Sequence, residues 1–201
     1  ASAAEAELFK METALAAVTA SARGLLDLLG RLEIQADAVV GHSSGEFAAV
    51  LASGAYRPAT DEELVQSIID GTNSTAAVAA SDLAPHAVLT SVGGAEHEAV
   101  EQVVSNSGGR LLVAMDNCPH QVILVGDEEA TAEALAALQG KGGVCQRLPW
   151  NRPYHTPAVA PVCQFVEAYM AKLPLQSPAV EIWSCATTAP MASNPAAIRD
   201  L

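Results

Sequence analysis

The sequence predicts an α/β protein, and two observations carry that expectation. Ala38–Val40 is a short apolar run, Gly41-His42-Ser43-Ser44-Gly45 follows as a G-x-S-x-G pentapeptide, and Glu46–Ala52 opens a helical pattern. Strand, sharp turn and helix in that order form the context of a nucleophile elbow, an α/β-hydrolase-like arrangement. Further on, residues 86–148 read strand, helix, strand, strand, helix, strand, which is the βαββαβ order of a ferredoxin-like unit. The expected fold is a large α/β-hydrolase-like subdomain, residues 1–84 and 150–201, into which a small ferredoxin-like subdomain, residues 85–149, is inserted. A chain of 201 residues is long enough to bury such a core.

The elements follow in order. Leu8, Met11, Leu15, Val18, Ala22, Leu25 and Leu29 recur at spacings of three and four, so about Glu5–Arg31 is a helix, ended by Gly30 and the polar stretch after Leu32. The strand and elbow come next, and Gly54 terminates the elbow helix. Thr60 or Asp61 caps a helix through Leu64, Val65, Ile68 and Ile69, and Gly71-Thr72-Asn73-Ser74 breaks it. Ala76–Leu83 is small and apolar, with no decided structure. His86–Val92, Arg110–Met115, Gln121–Val125 and Val144–Leu148 are strands. Ala95–Ser105 and Glu128–Leu138 are helices, the second capped by Asp127. Asp116–His120 is a turn, and Pro149–Pro157 is a loop with three prolines. Val159–Leu173 is a helix with Pro161 near its first turn, Val180–Ser184 is a strand, and Asn194–Leu201 begins another helix.

Composition narrows the function classes. Half the residues are apolar and 16% are charged, which is a globular balance. A net charge of −13 argues against nucleic acid and anionic membrane surfaces as partners. No apolar run is long enough to span a membrane, and Ala1–Glu7 lacks the basic start of a signal peptide. Cys118, Cys145, Cys163 and Cys185 have no paired spacing; they read as reduced thiols of a cytoplasmic protein without a metal site.

The pentapeptide carries the chemistry. A serine at the apex of such a turn holds its hydroxyl out. Gly41 and Gly45, lacking Cβ atoms, let strand and helix pass closely. The helix N-terminus then points N–H groups at a developing oxyanion. An ordinary glycine-rich turn is the competing reading. Serine also needs a base. His42 points away from Ser43 in an extended strand, and His86 and His97 face solvent by pattern. His120, in a turn, and His155, in the proline-rich loop that returns from the inserted unit, remain as bases; a plain surface histidine is the alternative for the latter.

Gly41-His42-Ser43-Ser44-Gly45-Glu46 resembles the G-H-S-x-G-E motif of the malonyl-CoA:acyl-carrier-protein transacylase family, which includes the acyltransferase domains of fatty acid and polyketide synthases. Tyr154-His155-Thr156-Pro157 is similar to that family's second motif, and the ferredoxin-like insert lies between the two as in the family. Asp116–Gln121 and Trp183–Ala189 look most like acyltransferase domains of iterative type I polyketide synthases of the enediyne type. The resemblance implies Ser43 as nucleophile, His155 as general base in a Ser-His dyad, the Ser44 N–H in the oxyanion hole, and His42, Asn117 and Tyr154 at the substrate. It implies a malonyl or acetyl group carried from acyl-CoA to the phosphopantetheine thiol of an acyl carrier protein, with other domains of a multidomain synthase as partners and no bound cofactor. Glu46 is expected to be structural.

The sequence departs from the family in three ways. The strand with the family's G-Q-G motif and the family's C-terminal portion have no counterpart, so the chain is expected to be the middle of a domain with both ends missing. The arginine that binds the malonyl carboxylate in the family is also absent: the stretch reads Ile68-Ile69-Asp70-Gly71-Thr72-Asn73-Ser74, and no Arg or Lys occurs between Arg57 and Arg110. Arg57 or Arg152 would have to take its place. Lys141, Arg147, Arg152 and Lys172 offer a basic surface for an acidic carrier protein. Two other functions compete: a serine esterase or thioesterase of α/β-hydrolase type, with Asp116 or Asp127 as the acid, and a degenerate, non-catalytic acyltransferase module.

Overall fold

A computed structural model describes residues 10–79, 85–191 and 193–199. The chain forms two compact units, Ala1–Ala77 with Gln164–Leu201, and Val78–Cys163.

In the first unit, helix α1 (Met11–Arg31) packs against the elbow helix α2 (Gly45–Ala52). The part of the expected first helix before residue 10 lies outside the described residues. Strand β1 (Ala38–Gly41) runs parallel to β6 (Glu181–Ser184), with Val39 opposite Ile182 and Gly41 opposite Ser184. A two-residue strand, β7 (Ala189–Pro190), adds to β6 antiparallel, giving the order β1-β6-β7. Ala49, Val50 and Leu51 of α2 form the core with Tyr56, Leu64 and Ile182. Gly54, at φ 76°, ends α2, and its N–H donates to the Leu51 carbonyl at 3.1 Å. The last helix, α7 (Pro195–Arg199), is capped by Asn194, whose Oδ1 accepts from the Ala197 N–H at 3.0 Å.

The third helix corrects the sequence reading. Helix α3 (Asp61–Ala79) continues through Gly71 instead of breaking there. Thr60 caps it by accepting from the Glu63 N–H at 3.1 Å, and Glu63 accepts from the Ala59 N–H at 2.6 Å. Ser74 keeps its hydroxyl inside the helix by donating to the Asp70 carbonyl at 2.9 Å. At Gly71 the absent side chain admits the Tyr169 ring: an added Cβ would lie 3.2 Å from Cζ. Tyr169 belongs to helix α6 (Ala160–Met170), which a 3₁₀ turn (Pro157–Val159) leads into. Packing outweighs the poor helix propensity of the Gly-Thr-Asn-Ser stretch.

The second unit is the expected ferredoxin-like fold. Its elements are β2 (Val88–Gly93), α4 (His97–Asn106), β3 (Leu111–Cys118), β4 (Gln121–Gly126), α5 (Glu128–Gln139) and β5 (Val144–Arg147). The sheet order is β3-β4-β2-β5, antiparallel throughout. Strand alternation divides β4 between two clusters: Val122 and Leu124 pack with Val100 and Leu138 of the helices, while Ile123 and Val125 pack with Leu89. Asp127 caps α5 as expected, accepting from the Ala130 N–H at 2.7 Å.

Two details differ. The expected five-residue turn at 116–120 shrinks to Pro119-His120, because register shifts after Val113 and Asp116 let β3 run on to Cys118. The loop after β5, expected in the large subdomain from residue 150, falls in the second unit up to Cys163. Its contacts explain this: the Ala87 N–H donates to the Asn151 carbonyl at 3.0 Å, and Tyr154 packs on the Leu89, Ile123 and Val125 cluster.

Candidate active site

The elbow of the first unit is built from backbone outward. Ser43 has φ 53°, in the left-handed region that L-residues avoid. Gly41, at the strand end, is buried, and a Cβ there would overlap the backbone of Gly45 and Glu46. Gly45 behaves otherwise: a Cβ on it would meet nothing within 4 Å. Only one of the two flanking glycines is thus required by the close passage. The Gly45 N–H donates to the His42 carbonyl and the Glu46 N–H to the Ser43 carbonyl, both at 2.9 Å. Among the described residues no backbone carbonyl accepts the Ser44 N–H, which precedes α2. His42 and Ser43 are exposed and Ser44 is half-buried.

Glu46, expected to be structural, is approached by the Ser184 hydroxyl at 3.4 Å; that hydroxyl in turn accepts from the Ala186 N–H at 3.1 Å. Ser184 is buried and ties the first turn of α2 to the end of β6. Nothing in its local sequence marks this role, because the contact joins residues far apart in the chain.

An aromatic group holds α2 from below. The Phe47 ring lies 6.3 Å from that of Tyr56 and 6.1 Å from that of Tyr169. The Tyr169 hydroxyl is 2.9 Å from Ser67 Oγ and donates to the Ser67 carbonyl at 3.0 Å. Burial pushes this phenol above its usual range; the Ser67 bond opposes the shift, and the charge of Asp70 adds to it.

The second unit carries the other residues singled out from sequence. His155 stands at φ 61° in the Pro149–Pro157 loop and is exposed. On one side of it, Tyr154 is anchored in the apolar cluster, with its N–H on the Arg152 carbonyl at 2.8 Å. On the other, the buried Thr156 donates its hydroxyl to the Pro153 carbonyl at 2.6 Å, and its own carbonyl accepts the Val159 N–H at 3.1 Å. Thr156, part of the second motif, thus closes the loop around His155 with its hydroxyl, a contact its local sequence does not mark. Asn117 sits on β3, not in a turn, and donates to Gln121 Oε1 at 3.2 Å; Gln121 Nε2 donates to Ser91 Oγ at 3.3 Å.

His120 is exposed in the Pro119-His120 turn, where its carbonyl accepts the Gly94 N–H at 2.9 Å. His86 and His97 are exposed, and His97 Nε2 lies 3.1 Å from an Asp116 carboxylate oxygen. Arg147, expected on a basic docking surface, is gripped by both carboxylate oxygens of Glu128 at 2.6 and 2.8 Å. No helix among the described residues is long and apolar enough to cross a membrane.

Residues 3–198 match the acyl transferase domain family. Among curated proteins, the highly reducing polyketide synthase acrA of Aspergillus aculeatus is 35% identical over 137 residues, which is 68% of this chain. The chain spans only 6% of that relative's length. Among solved structures, the acyltransferase domain from the second module of the salinomycin polyketide synthase superposes with a TM-score of 0.76 at 26% identity, covering 99% of this chain and 45% of the other. The malonyl-CoA:acyl-carrier-protein transacylase of Burkholderia pseudomallei shares the fold, with a TM-score of 0.79 at 21% identity over 96% of this chain and 65% of its own.

Proposed function

The chain belongs to the acyl transferase domain family, and on that footing we propose that it carries a short acyl group from coenzyme A to the phosphopantetheine thiol of an acyl carrier protein through an ester on Ser43. The observation that carries this reading is the left-handed Ser43 at an elbow where Gly41 leaves no room for a side chain. Four non-glycine residues with positive φ occur among the described residues, and two of them are Ser43 and His155. Strained backbone of this kind persists where function needs it.

In the proposed reaction Ser43 Oγ attacks the thioester carbonyl while its proton passes to the His155 imidazole. The C–S bond breaks, and the departing coenzyme A thiolate takes that proton. The carrier thiol then reverses the sequence: it gives its proton to His155, attacks the seryl ester and leaves Ser43 reprotonated. The Ser44 N–H stabilises the oxyanion in both halves. His42, Asn117 and Tyr154 bound the acyl group. Coenzyme A and phosphopantetheine enter as substrates, and the chemistry needs no bound cofactor. The setting is a cytoplasmic multidomain synthase; the enediyne-type assignment rests on Asp116–Gln121 and Trp183–Ala189.

The test is intact mass after incubation with a panel of acyl-CoAs, followed by addition of a phosphopantetheinylated carrier protein. Ser43→Ala should lose the adduct, and His155→Ala should form it about 10²- to 10⁴-fold more slowly. Hydrolysis without carrier loading would mark an esterase. No adduct with any thioester would mark a non-catalytic module.

A further inference from the structure

Resting on His155 as the general base, we propose that Thr156 is its positioning residue: the Thr156 hydroxyl fixes the turn that carries the imidazole and thereby sets the rate of acyl transfer. The turn is short, and both its ends are buried. Pro153 and Thr156 are buried, Tyr154 is half-buried, and His155 is exposed between them. His155 has φ 61°, a conformation that a residue with a side chain keeps only where its surroundings hold it there. Burial does not fix an exposed ring; the backbone that carries it is fixed instead.

Thr156 supplies that constraint by turning its side chain backward. Pro157 follows it, and a residue before proline is kept out of the helical region. Thr156 accordingly stands extended, at φ −127° and ψ 162°, as the N-cap of the 3₁₀ turn Pro157–Val159. A threonine at an N-cap ordinarily accepts from an N–H of the helix it opens. Thr156 makes no such side-chain bond among the described residues. Its hydroxyl donates to the Pro153 carbonyl instead, at 2.6 Å, at the short end of the range for such a bond. Capping is left to the backbone, where the Thr156 carbonyl accepts the Val159 N–H at 3.1 Å. One side chain thus spans Tyr154 and His155 and ties the two ends of their turn together.

The loop has anchors that do not depend on this hydroxyl. Tyr154 packs on Leu89, Ile123 and Val125, its N–H donates to the Arg152 carbonyl at 2.8 Å, and the Asn151 carbonyl accepts the Ala87 N–H at 3.0 Å. Those contacts hold the N-terminal side of the turn to the sheet. Removing the hydroxyl therefore leaves the loop attached but loosens the backbone on either side of His155. A general base works only within hydrogen-bond reach of the proton it takes, and a misplacement of about 1 Å can cost about a hundredfold in rate.

The experiment is single-turnover acylation of Ser43 on the whole chain over a range of acyl-CoA concentrations, read by intact mass, with malonyl-CoA and with acetyl-CoA. Thr156→Val keeps the shape and the extended preference and removes only the hydroxyl. It should lower the maximal rate about tenfold to a hundredfold and leave the half-saturating concentration unchanged. Thr156→Ala, which puts no apolar branch against the Pro153 carbonyl, should slow acylation to the same extent, and Thr156→Ser should recover most of the rate. In a His155→Ala background Thr156→Val should have no further effect, because it acts through the imidazole; a merely structural threonine would not show that dependence. A wild-type maximal rate in Thr156→Val overturns the proposal, as does an equal loss in the His155→Ala background. A slow His155→Ala beside a fast Thr156→Val overturns this proposal alone, whereas a His155→Ala that acylates at the wild-type rate overturns the dyad and the proposal with it.

Discussion

Gly41 and Gly45 approach so closely at the elbow that the Gly45 carbonyl occupies the place a side chain on residue 41 would need. The reverse does not hold, since the Cβ position of Gly45 is open. Gly41→Ala should therefore cost about 3 kcal/mol or more, above the usual range for overpacking, because the obstacle is backbone. Gly45→Ala, at the start of a helix, should gain about 0.5–1 kcal/mol. Urea denaturation of the two variants checks the contrast; equal effects would contradict the geometry.

Ser43 holds a left-handed conformation that a glycine adopts freely. Ser43→Gly should stabilise the first unit by about 1 kcal/mol while abolishing acylation. Stability and labelling measured on one preparation separate the two effects. A Ser43→Gly variant less stable than wild type would show that the serine side chain contributes more than its backbone strain costs.

Gly71→Ala tests why α3 continues. In an exposed helix the change would gain about 1 kcal/mol. Here the new methyl meets the Tyr169 ring at 3.2 Å, and that ring is fixed by its two Ser67 contacts and by Phe47. The variant should lose about 1 kcal/mol instead. Tyr169→Phe frees the ring from Ser67, and in that background the penalty of Gly71→Ala should shrink, as a double-mutant cycle would read.

Glu128 is held below the usual glutamate range, first by its hydrogen bonds from Arg147. A carboxylate depressed on folding adds stability above its unfolded pKa, and that share is lost as pH falls through the folded value. The pair is exposed, so its contribution to stability is small. Arg147→Gln should return the Glu128 titration upward, seen by carbon NMR of the carboxyl group. It should also free Glu128 as an uncompensated negative charge, weakening rather than clearing any docking surface for an acidic partner.

The elements were legible where one periodicity ran unopposed. The strand–pentapeptide–helix order gave Ser43 its elbow, and the βαββαβ order gave the small unit its sheet. Asp127 and Gly54 acted as their residue types predict, one accepting from Ala130 and the other taking positive φ. These are local effects, decided within a few residues.

What the sequence did not decide involved partners far along the chain. Gly71 reads as a helix breaker because propensity is local; the Tyr169 ring that fills its place comes from α6. β3 outlasts its apolar pattern because register shifts against β4 carry Asp116 and Cys118 into the ladder. The His155 loop joins the second unit because Tyr154 buries itself in a cluster supplied by β2 and β4. Ser184 reaches Glu46 only because β6 lies in parallel register beside β1. The sequence by itself determined the order of the helices and strands and which serine sits on the turn, since backbone conformation and periodicity are set locally. Tertiary structure alone decided which glycine is indispensable and what closes the loop at His155, because those depend on atoms that meet only after the chain has packed.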